Sequence, residues 1–115
     1  MNAADTLAVV RSELAAMGDD WAGDVGAAFN CGEADRLAAV FALLGLTDTA
    51  AALINGHADD DDAGDFHWCI AHEADPARPD DWSGDEPDRE SSERAALVAV
   101  YVDGLTAGTR ARSER

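Results

Sequence analysis

The residue types in this sequence that most readily do chemistry are clustered around and after its midpoint. His57 is followed by a run of aspartates and then by His67, Cys69 and His72. The Cys69-x-x-His72 spacing is typical of metal ligands, and His67 would share one face of a strand with Cys69. Together with His57, and with Cys31 as a further candidate, they could complete a four-coordinate zinc site. The sequence nevertheless favours no bound metal and no other cofactor, because no paired Cys-x-x-Cys motif anchors the set.

A calcium loop is a second chemical interpretation of the same stretch. In the register of an EF-hand, Asp59 and Asp61 fill ligand positions 1 and 3, and Gly64 provides the turn at position 6. Ala63 and Ile70 then stand at positions 5 and 12, where further oxygen ligands are required. With two ligands missing, the pattern favours a solvated acidic loop over a calcium site.

Catalysis by a cysteine nucleophile finds little support in the sequence. Cys69 and His72 are close together, but no orienting residue or oxyanion element accompanies them. The surrounding negative charge would also raise the pKa of a thiol and so reduce its reactivity. The chain contains no lysine, which excludes a P-loop and a Schiff base to pyridoxal phosphate. We therefore expect a binding protein rather than an enzyme.

Charge is the most unusual property of the chain. Its net charge is −16, and residues 59–93 alone carry 14 acidic side chains against two arginines. Trp82 lies in this stretch, within a run that is otherwise unable to form a core. An acidic segment with an aromatic anchor is typical of a module that docks onto a basic protein. In the competing interpretation, the Trp82 ring folds back onto the helices. The residues predicted to bind the basic partner are Trp82, Asp80, Asp81, Asp85, Glu86, Asp59, Asp60, Asp61 and Asp62.

Three functions are compatible with these patterns. The leading hypothesis is an acidic interaction module that binds a basic protein, in one form as an inhibitor that mimics nucleic acid. The second is a zinc-binding module that uses His57, His67, Cys69 and His72. The third is a structural or assembly protein, such as a helical homodimer. Direct binding of nucleic acid is disfavoured at a pI near 4.1, because like charges repel. Neither a secretory signal nor a membrane-spanning run is recognisable, so we expect a cytoplasmic protein with free thiols.

The elements that must position these residues are predicted to be helical. Apolar residues recur at helical spacing in four stretches, which predicts a mainly α fold. We expect a single domain over residues 1–115, a small bundle of about four helices with a long acidic loop between helices three and four. Gly18 and Gly23 are predicted to end or interrupt the first helix. Asn30 and Glu33 predict a capping box at the start of the second, and Thr47 is predicted to cap the third.

Each of the four helices carries an apolar stripe, although the core is expected to be modest because alanine makes up 25 residues and Leu, Ile, Val and Phe together only 21. The stripe of the first helix consists of Leu7, Val10, Leu14 and Met17. The fourth helix is predicted to begin at Pro87 and to bury Leu97, Val100, Tyr101 and Leu105, with Val98 and Val102 widening the stripe. Residues 73–86 are predicted to be a flexible acidic segment, and residues 109–115 a frayed basic tail.

Residues 29–68 read FNCGEADRLAAVFALLGLTDTAAALINGHADDDDAGDFHW. In this stretch a capped alanine-rich helix pair is followed by Gly-His, an acidic run and another histidine. In this pattern the stretch resembles small acidic proteins of unknown function from high-GC actinobacteria and their phages. The resemblance implies an origin and no particular activity.

Overall fold

Helices account for most of the chain in the computed structural model, which describes residues 2–26, 29–61 and 67–114. They are α1 (Ala3–Gly26), α2 (Cys31–Leu43), α3 (Thr47–Asp60), α4 (Trp68–Ala71) and α5 (Ser91–Ser113). Over the described residues there is no β-strand, only an isolated bridge between His72 and Asp88. The prediction of a mainly α bundle with about four substantial helices is confirmed, and α4 adds a single short turn. None of the helices in these ranges is long and apolar enough to cross a membrane.

α1 and α3 cross in direct backbone contact, which glycine permits. A methyl group at Gly56 would overlap the carbonyl of Gly23, and one at Gly26 would overlap the carbonyl of Leu53. Alanines fill much of the surrounding core, since only small side chains fit between backbones that approach so closely. The largest fully buried apolar side chains are Phe41, Leu53, Ile54, Val98 and Val102. The crossing also brings the carbonyl of Gly26 next to α3.

The predicted interruption of α1 is present at Gly18, whereas the one predicted at Gly23 is wrong, because the helix continues through Gly23 to Gly26. Gly18 has φ +81° and ψ 168°, a conformation that glycine adopts without a Cβ penalty. Because the helix changes direction there, the apolar stripe of α1 is only partly buried. Leu14 packs against the core, whereas Leu7 and Met17 are 56% and 53% exposed.

The hairpin of α2 and α3 begins with the predicted capping box. The backbone N–H of Glu33 donates to Asn30 Oδ1 at 2.8 Å, and the backbone N–H of Asn30 donates to Glu33 Oε1 at 3.1 Å. The predicted cap at Thr47 is wrong, because Leu46 occupies the N-cap position and no side chain caps α3. The N–H of Leu46 donates to the carbonyl of Phe41 at 2.9 Å, so the turn that ends α2 leads directly into α3.

α5 begins at Ser91 rather than at Pro87. The residues before it pair with the chain that follows α4 instead of entering the helix. Glu73 N–H donates to the carbonyl of Pro87, and Arg89 N–H donates to the carbonyl of Ala71, both at 2.8 Å. These bonds hold residues 87–89 extended, and they tie α4 to the start of α5.

The buried face of α5 is shifted from the centre of the predicted stripe to its edge. Val98 and Val102, which were predicted only to widen the stripe, are fully buried and Tyr101 is half-buried, but Val100 is 70% exposed. The prediction that Val100 is buried is therefore wrong. Packing against α2 and α3 selects the i, i+4 pair Val98 and Val102 as the inner edge of the helix. The helix continues through residues 109–113, and fraying of this tail remains a prediction.

The acidic segment, residues 73–86, is irregular apart from a 3-10 turn at Pro79–Asp81. Trp82 packs against Trp68 with ring centroids 5.8 Å apart, and its indole N–H donates to the carbonyl of Asp75 at 2.8 Å. The ring therefore folds back onto the protein, as the competing interpretation expected. The flexibility of the segment remains a prediction.

Candidate metal centre

Four side chains with metal-binding atoms meet where α2, α3 and the residue before α4 come together. They are Cys31, His57, Asp61 and His67, and one ligand atom from each lies within 4.8 Å of the others. Cys31 Sγ is 3.4 Å from His57 Nε2 and 3.7 Å from Asp61 Oδ2. Asp61 Oδ1 is 3.6 Å from His57 Nε2, and Asp61 Oδ2 is 3.7 Å from His67 Nδ1. We call this group the four-residue cluster.

The capping box of α2 places the cysteine of this cluster. Asn30 is the N-cap, so Cys31 is the first residue of the helix and its position follows from the bonds that start α2. The local sequence therefore fixes where the sulfur of Cys31 lies in the bundle.

The end of α3 supplies two further members. His57 and Asp61 are four residues apart, a spacing that puts both on one face of the helix end. The Asp61 side chain is only 7% exposed, which is unusual for an aspartate. His57 Nδ1 lies 3.0 Å from the carbonyl oxygen of Gly26. Because a carbonyl only accepts, Nδ1 carries the proton and Nε2 directs its lone pair into the cluster.

His67 is completely buried and its ring is fixed on both faces. It lies edge-to-face between the rings of His57 and Tyr101, with centroid separations of 4.7 and 5.3 Å. Its Nε2 is 2.7 Å from Asp35 Oδ1 and 3.0 Å from the Tyr101 hydroxyl. Since the carboxylate accepts a hydrogen bond from Nε2–H, the neutral ring keeps its lone pair on Nδ1, the nitrogen that faces Asp61.

Several separations within the cluster are close to those between the ligands of one ion. N–H···O hydrogen bonds span about 2.7–3.2 Å, and the contacts to Gly26 and Asp35 on the outside of the cluster fall in that range, at 3.0 and 2.7 Å. The N···O separations inside it are longer, at 3.6 and 3.7 Å. Tetrahedral ligands at zinc–ligand distances of about 2.0–2.3 Å lie about 3.3–3.8 Å from one another. The cluster can therefore close around zinc with shifts of about 1 Å or less.

The charges of the cluster also suit a divalent ion. A Cys31 thiolate and an Asp61 carboxylate carry two negative charges, and two neutral imidazoles add none. A bound 2+ ion makes the site neutral, which lowers the cost of burying these groups together. Calcium and magnesium prefer oxygen ligands, whereas sulfur and imidazole nitrogen in a four-coordinate arrangement favour zinc.

The tyrosine beside the cluster is held in its protonated form. Burial, and next the hydrogen bond to Asp35, raise the pKa of Tyr101 far above its usual range. The phenol O–H therefore donates to Asp35 Oδ1, at 2.7 Å. The same carboxylate oxygen thus accepts from both Tyr101 and His67.

The structure separates the four residues of the predicted zinc alternative. His57 and His67 belong to the cluster, but α4 turns Cys69 and His72 away from it. Cys69 is buried in a second, smaller core with Trp68, and burial raises the pKa of its thiol. His72 stacks on Trp68 at a centroid separation of 4.1 Å, and its Nδ1 bonds the Trp68 carbonyl. Cys31 and Asp61 replace these two as candidate ligands.

The residues predicted to contact a basic partner at the end of α3 divide between two places. Asp61 lies in the cluster, not on the surface. Asp59 and Asp60 are exposed, and Asp59 Oδ1 is 2.8 Å from Arg94 Nη2. Both border an open groove between α1 and α3 that is also lined by Asp19, Asp20 and Asp24. Asp62 lies outside the described residues.

In the acidic segment the predicted contact residues are mostly on the surface. Asp80, Asp81 and Asp85 are exposed, whereas Trp82 is half-buried against Trp68. Glu86 turns back on its own chain, where its carboxylate accepts hydrogen bonds from the backbone N–H groups of Ser83 and Gly84 at 2.6 and 3.0 Å. Its role in the fold is to hold this turn.

Sequence reasoning missed part of the site for identifiable reasons. Cys31 was visible only as a further candidate, and Asp61 only as one acid in a run of four. The usable signal was the spacing of His57 and Asp61, four residues apart at a helix end. Asp35 and Tyr101 are 66 positions apart and carry no local signal of their contact.

No protein-family model, curated protein or solved structure matches this chain. Function is therefore inferred from the geometry of the four-residue cluster.

Proposed function

We propose that this protein is a zinc-binding module in which Cys31, His57, Asp61 and His67 hold one ion. The observation that carries the proposal is the spacing within the cluster. Its two N···O separations are too long for hydrogen bonds and close to the edges of a zinc tetrahedron. Burial supports it, because a bound ion would compensate the burial of polar side chains as little exposed as those of His57, Asp61 and His67, at 5%, 7% and 0%.

The role of the ion is structural rather than catalytic. Four protein ligands fill the coordination sphere, whereas a catalytic zinc keeps one position for water or substrate. The ligands come from α2, α3 and the residue before α4, so one ion ties together three parts of the chain. Binding of such an ion is coupled to folding, and it makes the stability of the protein depend on zinc. A thiolate ligand also fits the expected cytoplasmic location, where thiols stay reduced.

Metal analysis of the purified protein tests the proposal. After dialysis against zinc and gel filtration without chelator, we expect one zinc per chain. Cys31→Ala and His67→Ala remove one ligand each and should lose the ion. Cys69→Ala is the matched control, because it removes the other cysteine of the chain, which lies outside the cluster and forms no disulfide bond. Wild-type protein without zinc, or equal loss of zinc in the Cys31 and Cys69 variants, would contradict the proposal.

Cobalt(II) provides a second measurement with direct information on geometry. A tetrahedral cobalt site has intense visible bands, and a thiolate ligand adds a charge-transfer band in the near ultraviolet. We expect both in the wild-type protein and in Cys69→Ala. Loss of the charge-transfer band in Cys31→Ala would identify Cys31 as the sulfur ligand. A weak, octahedral-type spectrum in the wild type would instead mean that cobalt binds exposed carboxylates.

Binding of a basic protein by the acidic surface is the second candidate function. It is favoured by the exposure of Asp80, Asp81 and Asp85 and by the aspartates that border the groove between α1 and α3. Attraction over such a surface acts at long range and steers association. Trp82 would contribute little to this contact, since its ring and its N–H are already engaged within the chain.

The salt dependence of binding tests this second function. Complexes formed by exposed charges weaken with added salt, because screening acts over about 10 Å at 0.1 M ionic strength. Basic proteins captured from a lysate at low salt serve as the probe. Replacing Asp80, Asp81 and Asp85 by asparagine should slow association, and Trp82→Phe should change little. Unaltered association of the triple variant would remove the acidic segment as the binding surface.

A further inference from the structure

Two residues outside the four-residue cluster control the direction in which His67 points. Asp35 Oδ1 lies 2.7 Å from His67 Nε2, and the Tyr101 hydroxyl lies 2.7 Å from the same oxygen. The hydroxyl is also 3.0 Å from His67 Nε2. These contacts are on the side of the ring opposite to the cluster, because Nδ1 is the nitrogen that faces Asp61. Asp35 and Tyr101 are therefore not ligands.

We propose that Asp35 is a positioning residue for the zinc ligand His67, and that Tyr101 acts through Asp35 by holding its carboxylate. The inference rests on the zinc-binding function proposed above. An imidazole binds a metal through one nitrogen only if the proton is on the other, and a hydrogen-bonded carboxylate both selects that tautomer and makes the ring a better donor to the metal.

The positions of these residues in the fold support such a role. Asp35 is one turn after Cys31 on α2, so the helix that supplies the sulfur ligand also supplies the carboxylate that orients the histidine. Tyr101 lies on α5, which otherwise buries completely only Val98 and Val102. The contact of Tyr101 with Asp35 thus connects the metal centre to the last helix of the bundle.

A purely structural role for the pair makes a different prediction from a positioning role. If Asp35 only stabilised the fold, its replacement would lower the melting temperature of the zinc-free protein and leave the intrinsic zinc affinity unchanged. If it positions His67, the affinity itself falls. Loss of a carboxylate that orients a metal-bound histidine typically costs about 10- to 100-fold in metal affinity.

The test measures zinc affinity by competition with a chromophoric chelator in folded protein. We expect Asp35→Asn to weaken zinc binding about 10-fold or more, and Tyr101→Phe to weaken it less. The double variant should lose less affinity than the sum of the two single losses, since Tyr101 holds the carboxylate of Asp35. Asp35→Asn should also shift the visible bands of the cobalt-substituted protein.

Thr49→Val is the matched control for this series. Thr49 is buried, and its hydroxyl donates to Asp19 Oδ1 at 2.9 Å, away from the cluster. The variant loses a hydrogen bond to a carboxylate, like Tyr101→Phe, but should keep the wild-type zinc affinity. Wild-type affinity in folded Asp35→Asn would overturn the positioning role and leave the zinc site standing. Absence of zinc from the wild-type protein would overturn both proposals.

Discussion

Zinc should raise the melting temperature of this protein by an amount that can be estimated in advance. At a free zinc concentration 100 times the dissociation constant, mass action stabilises the folded state by about 2.7 kcal/mol. Unfolding entropy is about 2.1 cal/mol/K per residue. For a chain of 115 residues, this amounts to about 0.24 kcal/mol/K. The melting temperature should therefore rise by about 11 °C relative to protein in EDTA.

The physical source of this shift is the position of the four ligands in the fold. Cys31 is at the start of α2, His57 and Asp61 are at the end of α3, and His67 precedes α4. Local unfolding of any of these ends breaks the site, so the bound ion resists all of them at once.

Differential scanning calorimetry in EDTA and in zinc provides the measurement. Cys31→Ala should melt at the same temperature under both conditions, because the site lacks its sulfur. Cys69→Ala leaves a small cavity and should melt lower than the wild type, but with the full zinc-dependent increase. An equal shift in Cys31→Ala, or no shift in wild-type protein with one zinc bound, would refute the reasoning.

Three further predictions concern thiol reactivity, the acidic segment and the helix crossing. Iodoacetamide should modify Cys31 readily in EDTA and slowly in zinc, whereas Cys69 should react slowly in both because burial raises the pKa of its thiol. Hydrogen bonds from Ser83 lower the pKa of Glu86. The ionised carboxylate should therefore stabilise the turn above the ordinary pKa of a glutamate, and this stabilisation should be lost as the pH falls through the lowered pKa. NMR titration of the turn measures this loss. Gly26→Ala should cost about 1–3 kcal/mol in unfolding free energy, because the added methyl group pushes α1 away from α3. It should also weaken zinc binding, because it displaces the carbonyl of Gly26 that orients His57.

Each of these predictions has a matched comparison. Equal alkylation rates for Cys31 and Cys69 in EDTA would contradict the burial of Cys69. Glu86→Gln removes the titrating group. If the chemical shifts of the turn in this variant still change with pH as in the wild type, the Glu86 carboxylate is not the cause of the pH dependence. Gly104→Ala is the control for Gly26→Ala, since a methyl group there meets no neighbouring atom and should stabilise α5 by about 0.5–1 kcal/mol. Equal stability of the two glycine variants would contradict the close crossing.

Local sequence patterns determined most of the secondary structure. The capping box at Asn30 and the interruption at Gly18 depend on residues within one helical turn, and both were predicted. The cap at Thr47 failed for a local reason as well, because the turn that ends α2 reaches Leu46 and leaves no room for a separate cap. The face of α5 failed for a tertiary reason. Its neighbours bury Val98, which the sequence pattern does not rank above Val100.

The candidate site, by contrast, was decided by tertiary structure. The sequence supplied the residue types and placed His57 four residues before Asp61 on a helix end. It did not pair them with Cys31 or with His67, since those contacts depend on how α1 crosses α3 and on the direction in which α4 turns. That crossing is set by backbone contact at Gly23 and Gly56, where the absence of side chains lets the helices approach. Helix formation is encoded by neighbours in the chain, but a metal centre needs atoms within about 4 Å in space, and only the packing of the helices brings them there.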